Sequence, residues 1–201
     1  MRRKRKRSRY SSGLSFYEDK NNISTSRIVE GILWASYTVI ALFFAVVCFK
    51  CFGFRVSVLG NSMEPGIVAS QNVFVNRLAY RMSSPGRGDV VAFYPGGDER
   101  MHPSIKRVVA VPGDSVQILN GVLLVNGVPC TFSDQFSGIA DAGLAATMEI
   151  LEENEYFVMG DNPAESEDSR SAGIGTVQDE DIIGRVWIAL PGQGASLHSV
   201  K

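Results

Sequence analysis

Histidine and cysteine are scarce in this chain: 201 residues hold two His and three Cys. His102 and His198 lie far apart and neither sits in an H-E-x-x-H pattern, which excludes that metalloprotease motif. Cys48-x-x-Cys51 is a single C-x-x-C without a second ligand pair, so it gives no zinc site. It falls at the end of an apolar run, where the two thiols read as apolar filler rather than a redox couple. No G-x-S-x-G elbow, EF-hand spacing or internal repeat is found. Charge of one sign is also missing, with a net charge of −1. At 45% apolar and 20% charged, the composition excludes collagen, a disulfide knot, a disordered polyelectrolyte and a polytopic membrane protein. The length suits one ordinary domain plus an appendage.

The balanced charge conceals an asymmetry. Nine of the 20 Lys/Arg lie before Gly31, seven of them within residues 1–9, against three acids. The remainder carries 11 bases and 18 acids. Between these parts, Ile32–Phe49 is an uncharged apolar run of 18 residues. With its flanks it reaches the ~20 residues that a helix needs to cross the ~30 Å hydrocarbon layer. Trp34 and Tyr37 near one end, and Phe52 and Phe54 near the other, suit interfacial anchoring. The basic excess before the run predicts a cytoplasmic N-terminus and an external body. The apolar part is longer than that of a cleaved signal peptide and no A-x-A-like site follows, so an uncleaved signal anchor is expected. Attraction to anionic lipid accounts for the basic arm more simply than nucleic-acid binding. The expected organisation is a basic cytoplasmic arm at 1–30, a transmembrane helix at 31–52 and an extracytoplasmic domain at 53–201.

The body reads as β. Short β-branched and aromatic runs at 55–59, 73–75, 89–94, 105–111, 115–119, 122–125, 156–158 and 186–188 are separated by Gly, Pro, Asn and Asp. Asn120-Gly121 and Asn126-Gly127 are tight-turn signals. Only Ser137–Thr147 looks helical or loose. A mainly β, antiparallel domain follows.

Three segments are candidates for chemistry. Gly60-Asn61-Ser62-Met-Glu-Pro-Gly66 places a serine in a Gly/Pro turn after an extended run, where it either presents a hydroxyl or merely serves the turn. Ile105-Lys106-Arg107-Val-Val-Ala-Val111 puts a lysine inside an apolar strand. Alternation sends Lys106 and Arg107 to opposite faces, one expected in solvent and the other inward. A buried lysine loses hydration of its charged form, its pKa falls, and the neutral amine can deprotonate a serine. An edge-strand lysine that blunts aggregation is the alternative. Met159–Arg170 is a dense polar loop whose hydroxyls and Asp–Arg pairing suit bracing of an amine or a turn.

Together these segments resemble the type I signal peptidase family, membrane-anchored Ser–Lys endopeptidases. Gly60-Asn-Ser-Met-Glu-Pro is similar to its nucleophile box and Arg87-Gly-Asp-Val-Val-Ala-Phe93 to its R-G-D strand. Ile105-Lys-Arg-Val-Val-Ala-Val-Pro-Gly-Asp114 resembles the lysine box, and Gly160-Asp-Asn with Ser166, Asp168, Ser169 and Arg170 the G-D-N…S-x-D-S-R box. The four boxes stand in the family's order behind one apolar helix. The resemblance implies a signal-peptidase-like antiparallel β catalytic domain with one N-terminal transmembrane helix. It implies Ser62 as nucleophile, Lys106 as general base and Ser166 hydrogen-bonded to the lysine amine. Asp161, Asp168 and Arg170 would support the site, and the oxyanion donors would lie around Gly60 and Asn61. It implies secretory preproteins cut after small residues at −1 and −3, contact with membrane lipid, no nucleic-acid partner and no cofactor. Pro163 departs from an Arg common after G-D-N, and Gly60 from an oxyanion-hole hydroxyl. The motif after Arg170 fits either Gly173 or Gly175. The short span from Lys106 to Gly160 implies a reduced second β region. A self-cleaving repressor peptidase would need a DNA-binding domain for which residues 1–31 are too few.

Overall fold

The computed structural model describes residues 25–52, 54–130, 136, 138–192 and 196–200. Most of the basic arm, residues 1–24, lies outside them. Helix α1 runs from Thr25 to Phe52, 28 residues without proline, and begins six residues before the segment expected from the apolar run. At 1.5 Å per residue it is about 42 Å long. Its Thr25–Phe49 portion is long and apolar enough to cross a membrane. Ser36 and Thr38 donate their hydroxyls to Leu33 O and Ala35 O, so the polar side chains within the run are satisfied by the helix itself. Its large apolar side chains, Trp34, Phe43 and Phe44 among them, are exposed.

The body contains twelve strands among the described residues: β1 (Phe54–Ser57), β2 (Asn72–Asn76), β3 (Val90–Phe93), β4 (Ser104–Ala110), β5 (Ser115–Leu119), β6 (Val122–Val125), β7 (Val128–Pro129), β8 (Glu149–Ile150), β9 (Glu155–Met159), β10 (Val177–Gln178), β11 (Ile182–Ala189) and β12 (His198–Ser199). A one-turn helix, α2 (Ala79–Met82), lies between β2 and β3. Eight strands form one sheet in the order β1-β2-β11-β3-β4-β9-β10, with β12 on β11. The smaller sheet runs β7-β6-β5-β8. Every pairing is antiparallel. The mainly β expectation therefore holds, and the smaller sheet falls within the span between Lys106 and Gly160. The β5–β6 hairpin turns at Asn120-Gly121, both at positive φ, as the dipeptide predicts. The Ser137–Thr147 segment holds a 3-10 turn at Gly143–Ala146.

β4 has a special place. Ile105 belongs to a core with β1, β2, β3 and β11. Val108 belongs to a second, with Val91, Phe93 and Val158. Val109 and Ala110 belong to a third, with the smaller sheet. Residues 105–110 are consequently all buried, Lys106 and Arg107 at 6% exposure each. This corrects the expectation that one of the two would face solvent. Alternation does separate them, but both faces of β4 are covered. The continuous run Val108-Val-Ala-Val111 carried that signal, since strands covered on both faces lose the polar half of the alternation.

Candidate active site

Ser62 stands on the turn that follows β1, where Glu64 N–H donates to Asn61 O at 3.1 Å and Gly60 at φ +74° lets the chain reverse. Met63 and Ile67 sink into the core below it and anchor the turn. Lys106 reaches the same point from the middle of β4, and its Nζ lies 2.8 Å from Ser62 Oγ, with both residues buried. Burial holds the Lys106 amine below the ordinary lysine range, and the Arg170 charge adds to this, against the opposing pull of Asp168 and Glu167. An amine in its neutral form beside a hydroxyl can take its proton and leave an alkoxide nucleophile.

The loop after β9 closes the site, because β9 pairs with β4 at Arg107–Met159 and Val108–Val158. Arg107 makes a bidentate pair with Asp161, Nε to Oδ1 at 2.7 Å and Nη2 to Oδ2 at 2.6 Å. Its Nη1 donates to Gly88 O at 2.8 Å. Asp161 thus serves Arg107. Asp168 accepts from Arg170 Nε at 2.8 Å and Nη2 at 3.0 Å, and from the Gly160 N–H at 3.2 Å. Arg170 also donates to Asp141 O and Pro163 O, drawing the 138–146 segment and the 162–165 turn together. Each buried charge here has a geometrically matched partner, which offsets the cost of removing it from water.

Gly160 is required by close approach. A Cβ there would lie 2.3 Å from Ser166 Oγ and 2.4 Å from Ser62 O. Ser166 Oγ is buried without a hydrogen-bond partner, so the expected bond to the Lys106 amine is not formed in this structure. Asn61 is exposed, and its amide Nδ2 donates to Glu165 Oε2 at 2.9 Å. Asn162 donates its N–H to Ser62 O at 2.9 Å and its side-chain amide to Asn61 O at 3.3 Å. Pro163, the departure from the family pattern after G-D-N, opens the 3-10 turn Pro163–Glu165 and lends its carbonyl to Arg170. Gly175 is at φ +60°, a local reason for glycine, whereas a Cβ on Gly173 would press only on the end of the exposed Glu167 side chain. Asn162 belonged to the Gly160-Asp-Asn box, whereas Arg107 and Glu165 were not anticipated as parts of the site. For Arg107 the continuous apolar run was available as a signal; for Glu165 the sequence carries none.

A cavity of about 90 Å³ adjoins Ser62, lined by Val58, Leu59, Lys106 and the His102–Ile105 stretch. It opens into a cleft bordered by Met101, Glu165, Glu167 and Ile174. His102 is exposed, with Nδ1 2.9 Å from Pro103 O. Cys48 and Cys130 are free thiols, the second buried in the core of the smaller sheet. No group of His, Cys, Asp and Glu among the described residues could hold a metal ion.

Ser62 Oγ and the Lys106 amine thus meet beside a cleft of the antiparallel sheet, an arrangement whose chemistry suits hydrolysis by a serine. Residues 31–190 match the model of a family described as signal peptidase, peptidase S26. Signal peptidase I P of Bacillus subtilis subsp. natto is 31% identical over 176 residues, covering 83% of this chain and 90% of that one. Signal peptidase I of Bacillus licheniformis is 29% identical over 175 residues, again with 83% and 90% coverage. The crystal structure of a signal peptidase I from Enterococcus faecalis V583 aligns with 51% of this chain and 97% of that chain, at 26% identity and a TM-score of 0.40. The chain belongs to the signal peptidase family, peptidase S26. Its activity is that of a signal peptidase I, a serine endopeptidase.

Proposed function

We propose that Ser62 is the nucleophile and Lys106 the general base in removal of signal peptides from secretory preproteins. The observation that carries the assignment is the 2.8 Å approach of a buried amine to a buried hydroxyl. Neutral Lys106 takes the Ser62 proton as Oγ attacks the scissile carbonyl carbon, and the carbonyl π pair moves onto oxygen. The resulting ammonium gives its proton to the leaving amine as the C–N bond breaks, so the mature chain departs and an ester to Ser62 remains. Lys106, neutral again, takes a proton from water; hydroxide attacks the ester and Ser62 leaves, reprotonated by the lysine. Burial favours the neutral amine throughout.

The Ser62 N–H is suited to stabilising the oxyanion. The Asn61 carbonyl is turned toward Asn162, and a trans peptide directs the following N–H the opposite way. The 90 Å³ cavity beside Ser62 supports a small residue at −1, with a matching requirement at −3. The basic segment before α1 supports a cytoplasmic N-terminus, an external body and contact with membrane lipid. Substrates are the signal peptides of preproteins; nucleic acid is not a partner.

The deciding experiment incubates detergent-solubilised enzyme with a signal-bearing preprotein, comparing wild type with Ser62→Ala and Lys106→Ala. Both variants should lose turnover while His102→Ala retains most of it. Near-native turnover by Lys106→Ala would overturn the assignment. Protease added to intact protoplasts should digest the body and spare the arm; protection of the body would reverse the topology.

A further inference from the structure

The peptide group between Asn61 and Ser62 is held from one side by the 162–165 turn. Asn162 takes hold of both neighbouring carbonyls, Asn61 O and Ser62 O. The third tie is the bond from Asn61 Nδ2 to Glu165 Oε2. A carboxylate oxygen only accepts, so this contact fixes which way the Asn61 amide faces. Gly60, on the other side, is at positive φ and adds no side-chain constraint; the Asn61 carbonyl also accepts from the Glu64 N–H at 3.1 Å, while the Asn61 side chain is held by Glu165. The turn that carries Glu165 is itself anchored. Glu165 N–H donates to Asn162 O at 3.2 Å, and Arg170, locked on buried Asp168, holds Pro163 O at 2.7 Å.

We infer that Glu165 is a positioning residue: through Asn61 it fixes the plane of the Asn61–Ser62 peptide, and with it the aim of the Ser62 N–H at the substrate carbonyl oxygen. The inference rests on the reading of Ser62 as nucleophile. The carboxylate does this by its bond to Asn61 and not by its charge on the base. The charges that move the Lys106 amine are those of Asp168, Glu167 and Arg170. Glutamine, which keeps an acceptor oxygen at the same reach, can therefore replace it.

The test measures kcat, KM and the pH profile of full-length enzyme in detergent on a signal-bearing preprotein. Glu165→Ala, Glu165→Gln, Asn61→Ala and the double alanine variant are compared, with Ser62→Ala alongside. Glu165→Ala should lose about ten-fold in kcat, equivalent to ~1.4 kcal/mol, with KM within about two-fold. Glu165→Gln should recover most of that loss. The double variant should be no worse than its poorer parent, because both changes cut one tie. The acidic limb of the profile should stay in place. Unchanged kcat in Glu165→Ala, an equal loss in Glu165→Gln at wild-type melting temperature, additive losses in the double variant, or a shifted limb would each overturn the inference. Turnover by Ser62→Ala would instead overturn the nucleophile reading beneath it; a dead Ser62→Ala beside a fully active Glu165→Ala removes the positioning role alone.

Discussion

β4 and the β5–β6 hairpin are neighbours in sequence and are built on opposite plans. In the hairpin one face is buried, with Val116, Ile118, Leu123 and Val125 turned inward and Gln117 and Leu124 on the more open side. In β4 every residue from Ile105 to Ala110 is buried, and two of them are cations. Arg107 is matched by Asp161 along the Nε–Nη2 edge of its guanidinium, whereas the Lys106 amine is hydrogen-bonded to the neutral Ser62 hydroxyl. Burial makes one cation a structural tie and disfavours the charged form of the other. The same strand thus holds a charge where it is paired and weakens one where no carboxylate is bonded to it.

The widest separation between the two cations is expected from Lys106→Met. Turnover should fall by about four orders of magnitude or more, while stability at neutral pH holds or rises. An amine whose pKa is lowered in the fold binds fewer protons there than in the unfolded chain. Wild-type stability should therefore climb as pH rises from that lowered value toward the ordinary lysine range, and the climb should vanish in the variant. Urea titrations across pH measure it, and a variant with an unchanged slope would contradict the buried-amine account.

Arg107→Met should act in the reverse sense. Leaving Asp161 buried and unpaired costs about 3–5 kcal/mol, visible as a lower urea midpoint, and activity falls with the loss of folded protein. The hairpin supplies a calibration. Leu123→Ala should cost about 2–5 kcal/mol and Leu124→Ala on the open side well under half of that. Equal costs would mean that the two faces are not distinct. The smallest effect is expected from Glu167→Gln. Removing a carboxylate that supports the Lys106 charge should move the acidic limb of kcat/KM to lower pH, with folding stability unchanged.

Most of the sheet was legible from β-branched runs and Asn-Gly turns, because those signals are local. The runs at 105–111, 115–119 and 122–125 became β4, β5 and β6 within a residue or so. Ser62, Lys106, Asp168 and Arg170 were legible as boxes, and the structure brings them together. What the boxes did not disclose was which atom serves which partner. Asp161 faces Arg107 rather than the lysine, and Ser166 packs against Gly160 with its hydroxyl unbonded. Such pairings depend on how two distant loops meet, and no periodicity encodes them. The four two-residue strands β7, β8, β10 and β12 escaped detection because two residues carry no pattern.

The ties around Ser62 join residues remote in the chain: 44 positions separate it from Lys106, and 104 separate Asn61 from Glu165. Closing loops of that length is entropically costly, so contacts of this kind form after local hairpins in a folding chain. The Ser62–Lys106 contact therefore depends on β11, which lies between β2 and β3 in the sheet that carries both residues. A chain still being synthesised has this serine and this lysine but not yet their contact, because β11 belongs to the last third of its sequence.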